Sequence, residues 1–225
     1  GDLGIGDTAA VRELVGWCAR RGGRVLQLLP INETSADNSP YNAISAMAIE
    51  PTTLTLDPGH VADLGEADFA AEAGAERVGA LRSGPVDYSG VRALKDRLLW
   101  RAFDRFESRE LARGTDRAGE YRSFCEAHGE WLPRYSLFRL LVEENGGNPA
   151  WMGWPAEHRD PASAEGWLGS LGEAGRGELL RRRERFCYIQ WLAYGQWEGV
   201  RAHADREGVR LMGAIPFGVR GCSAD

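Results

Sequence analysis

The chain has 225 residues, of which 43% are hydrophobic and 27% charged, and its net charge is -6. This composition excludes a disordered chain, and the length is sufficient for a sizeable core. The absence of any apolar run of about 18 residues argues against a membrane span, and the acidic balance argues against nucleic acid, which requires clustered cations.

A helix is predicted after Asp7, which is a suitable N-cap residue. Its apolar face has helical spacing and is formed by Val11, Leu14, Val15 and Cys18. Gly22-Gly23 ends the helix, and an apolar strand follows from Arg24 to Leu29. A helix followed at once by a buried strand is typical of α/β proteins with parallel sheets.

A polar loop follows this strand and leads to Asn38-Ser39-Pro40-Tyr41. The active-site loop at the C-terminal end of a barrel strand has this character. The loop offers hydroxyls, amides, one aromatic ring and two carboxylates, Glu33 and Asp37, which suit a polyhydroxylated ligand such as a sugar. The two carboxylates have two interpretations: a pair that flanks a glycosidic bond, or a solvated loop, which we favour.

Most of the chain from Tyr41 to about Gly208 is predicted to be helical. Helices are expected at Val91 to Glu107, Glu120 to His128, Trp131 to Glu144, and in a long segment that ends at Gly208. A short helix is expected from Ala43 to Ala48, and a loop with short helical turns at most from Gly153 to Gly177. A second strand is predicted from Val209 to Ile215. Roughly 150 residues therefore separate the two strands, far more than a usual βα loop contains.

The four cysteines, Cys18, Cys125, Cys187 and Cys222, lack the paired spacing of a zinc site. Cys18 and Cys187 fall on apolar helix faces and are expected to be buried. A reducing cytoplasm fits this pattern. The pair Trp151 and Trp154 could line an oligosaccharide path, or it could anchor the helical region to the rest of the fold, which we favour.

Several stretches, taken in chain order, carry a family resemblance. They are Gly4-Ile5-Gly6-Asp7, Leu29-Pro30 with Ser39-Pro40-Tyr41, Val86-Asp87-Tyr88 with Leu94-Lys95, Trp131-Leu132, Gln190-Trp191 with Gln196-Trp197, and Arg210 to Val219. With these stretches the chain resembles the 4-alpha-glucanotransferases of glycoside hydrolase family 77, the amylomaltase or disproportionating-enzyme type. Two departures stand out: Glu50 where the family usually has asparagine, and Ala214 where it has aspartate.

The resemblance implies a partial (β/α)8 TIM barrel with a large, mostly helical insertion between two barrel strands. Residues 1–40 would hold a barrel helix, a strand and the active-site loop. Residues 41–176 would form the insertion, and residues 177–225 the long helix and the next strand. The family's first strand would precede Gly1 and its catalytic carboxylates would follow Asp225, so the chain is expected to be a fragment with no catalytic residue of its own.

The implied activity is transfer of α-1,4-glucan segments between maltooligosaccharides by a retaining mechanism, without cofactor or metal. The expected partners are these glucans, with no nucleic acid and no membrane. The alternative is a non-catalytic or degenerate glucan-binding module, which Ala214 favours.

The candidate substrate-binding residues are Asn38, Ser39, Pro40, Tyr41, Tyr88 and Ala214. A tyrosine ring can stack on a sugar face while its hydroxyl makes hydrogen bonds. Ordinary packing remains the alternative for both tyrosines. For Asn38 and Ser39 the alternative is that they only shape the turn before Pro40.

Overall fold

The computed structural model of this protein describes residues 2–35, 38–214 and 221–224, and within these ranges the chain is mostly helical. Its elements in chain order are α1 (Thr8–Arg20), β1 (Val25–Gln27), α2 (Glu66–Glu72), α3 (Ala75–Arg82), α4 (Tyr88–Arg109), α5 (Asp116–Ala127), α6 (Leu132–Glu144), α7 (Pro161–Ser170), α8 (Glu173–Glu207) and β2 (Arg210–Met212), with short 3-10 turns at Pro51–Thr53, Leu111–Arg113, Trp151–Gly153 and Ala156–His158. No helix in these ranges has the length and apolar character needed to cross a bilayer.

The two strands pair with each other in parallel, with Val25 opposite Arg210. The pairing continues past the strands, because the N–H of Ala214 donates to the carbonyl of Leu28 at 3.1 Å. Both strands are shorter than the sequence predicts, and the predicted end of the second, Ile215, lies outside the described residues. Each strand directly follows a helix, so the helix-strand order expected from the sequence is confirmed.

Helix α1 begins and ends where its capping residues predict. The carboxylate of Asp7 accepts the N–H of Ala10 at 3.0 Å. Gly22 has a φ of +80°, which favours glycine, and the N–H of Gly23 donates to the carbonyl of Cys18 at 2.7 Å. The buried side of α1 packs through Val15 against Ala204 of α8 and against Val209, which precedes β2. This contact fixes α1 and α8 beneath the strand pair.

The main core lies between α4 and α8, with α5, α6 and the segment that precedes α2. Helix α4 buries a complete apolar face, and its Phe103 and Phe106 rings lie 5.6 and 4.8 Å from the ring of Tyr188 on α8. A second cluster joins α6 and α7 around Phe138 and Trp154. The helical predictions for α4, α5 and α6 are confirmed within a few residues of their ends.

The predicted short helix from Ala43 to Ala48 is wrong. Within this segment the backbone is bent and extended, because the N–H of Ile44 donates to the carbonyl of Glu33 and the N–H of Glu33 donates to the carbonyl of Ala48. The hydroxyl of Ser45 accepts the N–H groups of Met47 and Ala48. A serine that bonds its own backbone in this way competes with a helix.

The predicted loop from Gly153 to Gly177 is also wrong over much of its length, because it contains α7 and the first turn of α8. Asp160 caps α7 by accepting the N–H groups of Ala162 and Ser163, and Pro161 occupies the first helical position. Asp-Pro at this position is a helix-start signal that the sequence does carry. Ala164 and Leu168 bury the inner face of α7.

Candidate functional site

The loop that follows β1 is anchored by a buried carboxylate rather than exposed along its length. Glu33 is 1% exposed, and its carboxylate accepts a hydrogen bond from the hydroxyl of Tyr135 on α6. The Nε of Arg139 lies 3.1 Å from Glu33 Oε1 as an ion pair without hydrogen-bond geometry. The solvated interpretation is therefore wrong for Glu33, and Asp37 lies outside the described residues.

The pKa directions of Glu33 and its partner Tyr135 agree with a structural role for Glu33 in holding the loop. Burial raises the pKa of Glu33, and the guanidinium of Arg139 only partly opposes this change. Burial, together with the nearby charge of Glu33, raises the pKa of Tyr135 well above its ordinary value. Tyr135 therefore keeps its proton and donates a hydrogen bond to Glu33. A carboxylate engaged by Tyr135 and Arg139 in this way is suited to holding the loop rather than to attacking a glycosidic bond.

Two glutamines of α8 hold the segment from Ile49 to Thr55. The amide of Gln190 accepts the N–H of Ile49 at 2.8 Å and donates to the carbonyl of the same residue at 3.0 Å. Further along the same helix, Gln196 makes the same pair of bonds with Thr55, at 2.9 and 2.8 Å. Each side-chain amide thus satisfies both the N–H and the carbonyl of one residue of this segment, which gives Gln190-Trp191 and Gln196-Trp197 a structural role.

Glu50 ties the two ends of the loop together. One of its carboxylate oxygens accepts both the N–H and the hydroxyl of Thr34, and the other accepts the N–H and the hydroxyl of Thr52. The Nη1 atom of Arg92 lies 3.5 Å from Oε1 of Glu50. Glu33 and Glu50, which both line the base of the loop, are therefore engaged with protein groups.

Asn38 brings the tip of the loop to the first turns of α4. Its side-chain oxygen accepts from Nη2 of Arg92 at 3.3 Å, and its φ of 54° is a left-handed conformation that asparagine tolerates. Asn38, Ser89 and Arg92 line a cavity of about 470 Å³, here called the loop cavity, whose inner wall includes Glu33 and Arg139.

The following residues form a tight turn, because the N–H of Asn42 donates to the carbonyl of Ser39 at 3.0 Å. Pro40 lies within this turn and is half-buried. The ring of Tyr41 is 56% exposed, so packing inside this chain does not account for it. The turn therefore presents an aromatic ring beside polar groups, which is the surface that a sugar face can stack on.

Tyr88 is the first residue of α4 and is 44% exposed. The carboxylate of Asp87 caps this helix by accepting the N–H of Gly90 and the hydroxyl of Ser89, and these hydrogen bonds lower the pKa of Asp87. Since Arg92 is one turn further along α4, the structure brings Asn38 close to the helix start that carries Tyr88. Ala214, in contrast, lies at the end of the strand pair and is half-buried.

Residues 221–224 contact the loop and the tryptophan pair. The N–H of Ala224 donates to the carbonyl of Ile44 at 2.8 Å, and the indole of Trp151 donates to the carbonyl of Gly221 at 2.9 Å. Trp154 is buried, and its indole donates to the carbonyl of Asn148. The anchoring interpretation of the tryptophan pair fits these contacts.

Lys95, the only lysine of the chain, is a buried residue whose role the sequence did not reveal. Its Nζ donates to the carbonyls of Thr52 and Leu54 at 2.6 and 2.7 Å. Burial lowers the pKa of Lys95 to about 8. The available signals were its place in the Leu94-Lys95 stretch and its uniqueness among the many arginines. Its two hydrogen bonds hold the segment that Gln190 and Gln196 also hold.

We expect the stability of the wild-type protein to increase relative to that of Lys95→Met as the pH rises from about 8 to 9.5. In this interval folded Lys95 loses its proton while the unfolded chain keeps it. The free energy of unfolding should then rise by up to about 1.36 kcal/mol per pH unit, and the interval ends before tyrosine titrates near pH 10. Urea unfolding of both proteins across this range measures the difference, and a constant difference would contradict the assignment.

No group of three or more His, Cys, Asp or Glu side chains in the described part of the chain is arranged to hold a metal ion. The polar groups around the loop are amides, hydroxyls, guanidinium groups and two enclosed carboxylates. They can position a neutral, hydroxyl-rich ligand by hydrogen bonding.

Comparisons with known proteins agree with the sequence motifs. The family described as 4-alpha-glucanotransferase, glycoside hydrolase family 77, matches residues 1–225. The 4-alpha-glucanotransferases of Synechocystis sp. and Thermus thermophilus are 30% and 31% identical to this chain, and each alignment covers 100% of it. The chain spans 41% of the length of each of these two relatives.

Two solved structures share the fold. The amylomaltase from Streptococcus agalactiae in complex with acarbose superposes with a TM-score of 0.74 at 22% identity, over 100% of this chain and 42% of that one. The amylomaltase from Corynebacterium glutamicum gives a TM-score of 0.74 at 19% identity, over 100% of this chain and 29% of that one. The arrangement of helices around the strand pair is therefore that of amylomaltases.

Proposed function

This chain belongs to the 4-alpha-glucanotransferase family, and we propose that it supplies part of the glucan-binding groove of an enzyme that transfers α-1,4-glucan segments between maltooligosaccharides. The observation that carries this proposal is the family match along the whole chain. The related amylomaltase that is complexed with acarbose supports a glucan-like ligand. The reaction proposed is retaining, with a covalent glycosyl intermediate.

The proposed role of this chain is to bind glucan rather than to cleave it. The two carboxylates at the base of the loop support this role, because Glu33 is bonded to Tyr135 and Glu50 is bonded to Thr34 and Thr52. A nucleophile or an acid/base residue must reach the glycosidic bond. We propose that the catalytic carboxylates come from outside residues 1–225.

The proposed glucan contacts are Tyr41 and Tyr88 through their rings, and Asn38 and Ser39 through polar groups, with Pro40 shaping the turn. The proposed architecture is a partial (β/α)8 barrel in which β1 and β2 are neighbouring strands. Residues 1–40 and 177–225 would belong to the barrel and residues 41–176 to the helical insertion. The parallel strand pair, each strand preceded by a helix, supports this proposal. The free cysteines support a reducing compartment such as the cytoplasm.

Maltotriose disproportionation tests the proposed function in the protein that carries this chain together with the remaining length of its relatives. Glucose and longer maltooligosaccharides should appear together, because each transfer releases one product while it extends another. Release of glucose without longer products would indicate hydrolysis. Binding of maltotriose without either product would favour the non-catalytic glucan-binding module.

We expect Tyr41→Ala to raise the KM for maltotriose by about fivefold, because loss of a stacking ring costs on the order of 1 kcal/mol. Tyr41→Phe keeps the ring and should retain most of the affinity. Neither change should shift the melting temperature, since Tyr41 is 56% exposed. Initial rates over a maltotriose series give the KM, and an unchanged KM for Tyr41→Ala would remove this residue from the groove.

A further inference from the structure

Helices α5 and α8 bring two of the four cysteines to one cavity. Cys125 on α5 and Cys187 on α8 both line a cavity of about 530 Å³, together with Tyr121, Ser136 and Glu184. Both cysteines are half-buried, so the burial expected for Cys187 from its apolar helix face is only partial. Nothing in the proposed glucan-binding role uses this pair.

The register of the two helices explains why the thiols meet. The hydroxyl of Tyr121 donates to Glu184 at 2.7 Å, which fixes one contact between α5 and α8. Cys125 follows Tyr121 by four residues, and Cys187 follows Glu184 by three. Residues at these spacings lie on the same helix face, so both cysteines face the junction of α5 and α8 and line the same cavity.

The pair is chemically asymmetric. Interaction with the thiol of Cys187 lowers the pKa of Cys125, whereas interaction with Cys125 and burial together raise the pKa of Cys187 well above its ordinary value. A thiolate is the reactive form of cysteine. Cys125 is thus the nucleophile of the pair, and Cys187 is the partner placed to resolve an oxidised Cys125.

We propose that Cys125 and Cys187 form a reversible disulfide that links α5 to α8 when the protein meets a peroxide. The thiolate of Cys125 attacks one peroxide oxygen and releases water, after protonation, to leave a sulfenic acid. The sulfur of Cys187 then attacks the sulfenic sulfur, a second water leaves, and the S–S bond forms. Two thiols and one hydrogen peroxide thus give one disulfide and two waters, and a dithiol reductant reverses the reaction.

The disulfide would covalently link α5 to α8, the helix that carries Gln190 and Gln196. Because it closes a long loop of the chain, it restricts the unfolded state and should raise the melting temperature by about 5 °C or more. Disulfides of this transient kind are the ones that occur in reducing compartments.

Peptide mapping after hydrogen peroxide treatment tests the proposal. The remaining thiols are alkylated under denaturing conditions, and trypsin then releases residues 123–134 with Cys125 and residues 186–201 with Cys187. We expect these two peptides to be joined, two hydrogen masses lighter than their sum, and separated again by a dithiol reductant. The peptide of Cys18 should remain alkylated and serves as an internal control.

Cys125→Ser and Cys187→Ser should each abolish the joined peptides and the rise in melting temperature, whereas Cys18→Ser should preserve both. The result that overturns the proposal is oxidation of Cys18 and Cys125 to equal extents with no joined peptide, or a disulfide that joins Cys125 to a different cysteine. Folding of each variant is checked by its melting temperature before peroxide is added.

Discussion

Gln190→Ala is expected to destabilise the protein by about 3–5 kcal/mol, because it leaves the N–H and the carbonyl of Ile49 buried without partners, at about 1–3 kcal/mol each, and opens a cavity. Gln190 is 0% exposed, so water cannot readily replace its amide. Tyr135 also loses the hydrogen bond that Gln190 donates to its hydroxyl at 3.2 Å. Denaturant unfolding of the wild-type protein and Gln190→Ala measures the difference in the free energy of unfolding. We expect the slope of this free energy against denaturant concentration to be the same in both proteins.

Two variants of α8 control this result. Glu198→Ala changes an exposed residue of the same helix and should alter stability by less than about 0.5 kcal/mol. Gln196→Ala removes the equivalent pair of bonds to Thr55 at a half-buried position, so it should cost less than Gln190→Ala. A loss below about 1 kcal/mol for Gln190→Ala would show that its amide does not hold the segment.

Ala214→Asp is expected to raise the kcat/KM for maltotriose by about tenfold to a hundredfold in the protein that carries this chain. The family that the chain resembles has aspartate at this position, at the end of a strand whose carboxyl end would face the active site. A hydrogen bond to a charged group contributes roughly 1.5–3 kcal/mol, and about 1.4 kcal/mol corresponds to tenfold in rate if the bond strengthens in the transition state.

The structure makes this substitution feasible. Ala214 is half-buried, and its N–H is already bonded to the carbonyl of Leu28, so the backbone is fixed before the carboxylate is added. Ala214→Asn is the matched control, since it has the same shape without the charge and should give a smaller gain. Equal kcat/KM values for the wild-type protein and Ala214→Asp, within about twofold, would show that this position does not limit the reaction. No activity in any of the three proteins would favour the degenerate glucan-binding module.

The sequence by itself determined the elements whose signals are local. The cap at Asp7 and the Gly22-Gly23 stop act within a few residues, so the bounds of α1 follow from the sequence alone. Of its predicted apolar face, Val15 is buried, Val11 and Cys18 are half-buried, and Leu14 is exposed. Helices α4, α5 and α6 also follow from the sequence, because their buried faces repeat with helical spacing. The existence of the two strands follows from short apolar runs next to helices, but the positions of their ends do not.

Only the tertiary structure decided how the candidate loop is held. Glu33 has the sequence neighbours of a solvated residue, yet Tyr135 and Arg139, about a hundred positions later, enclose it. The segment from Ala43 to Ala48 has helix-forming residues, but its backbone groups bond to Glu33 and Ser45, and the next residue bonds to Gln190.

The same physical reason places Cys125 beside Cys187 and Lys95 beneath the carbonyls of Thr52 and Leu54. In each case the partner is distant in sequence and is brought close by packing between elements, with α5 against α8 for the cysteines and α4 against the Pro51–Thr53 turn for Lys95. A periodic pattern reports which face of a helix is buried, but it does not report which polar group will meet that face. The existence of the helices therefore follows from the sequence, whereas the anchoring of the loop is decided by the packing of α6 and α8.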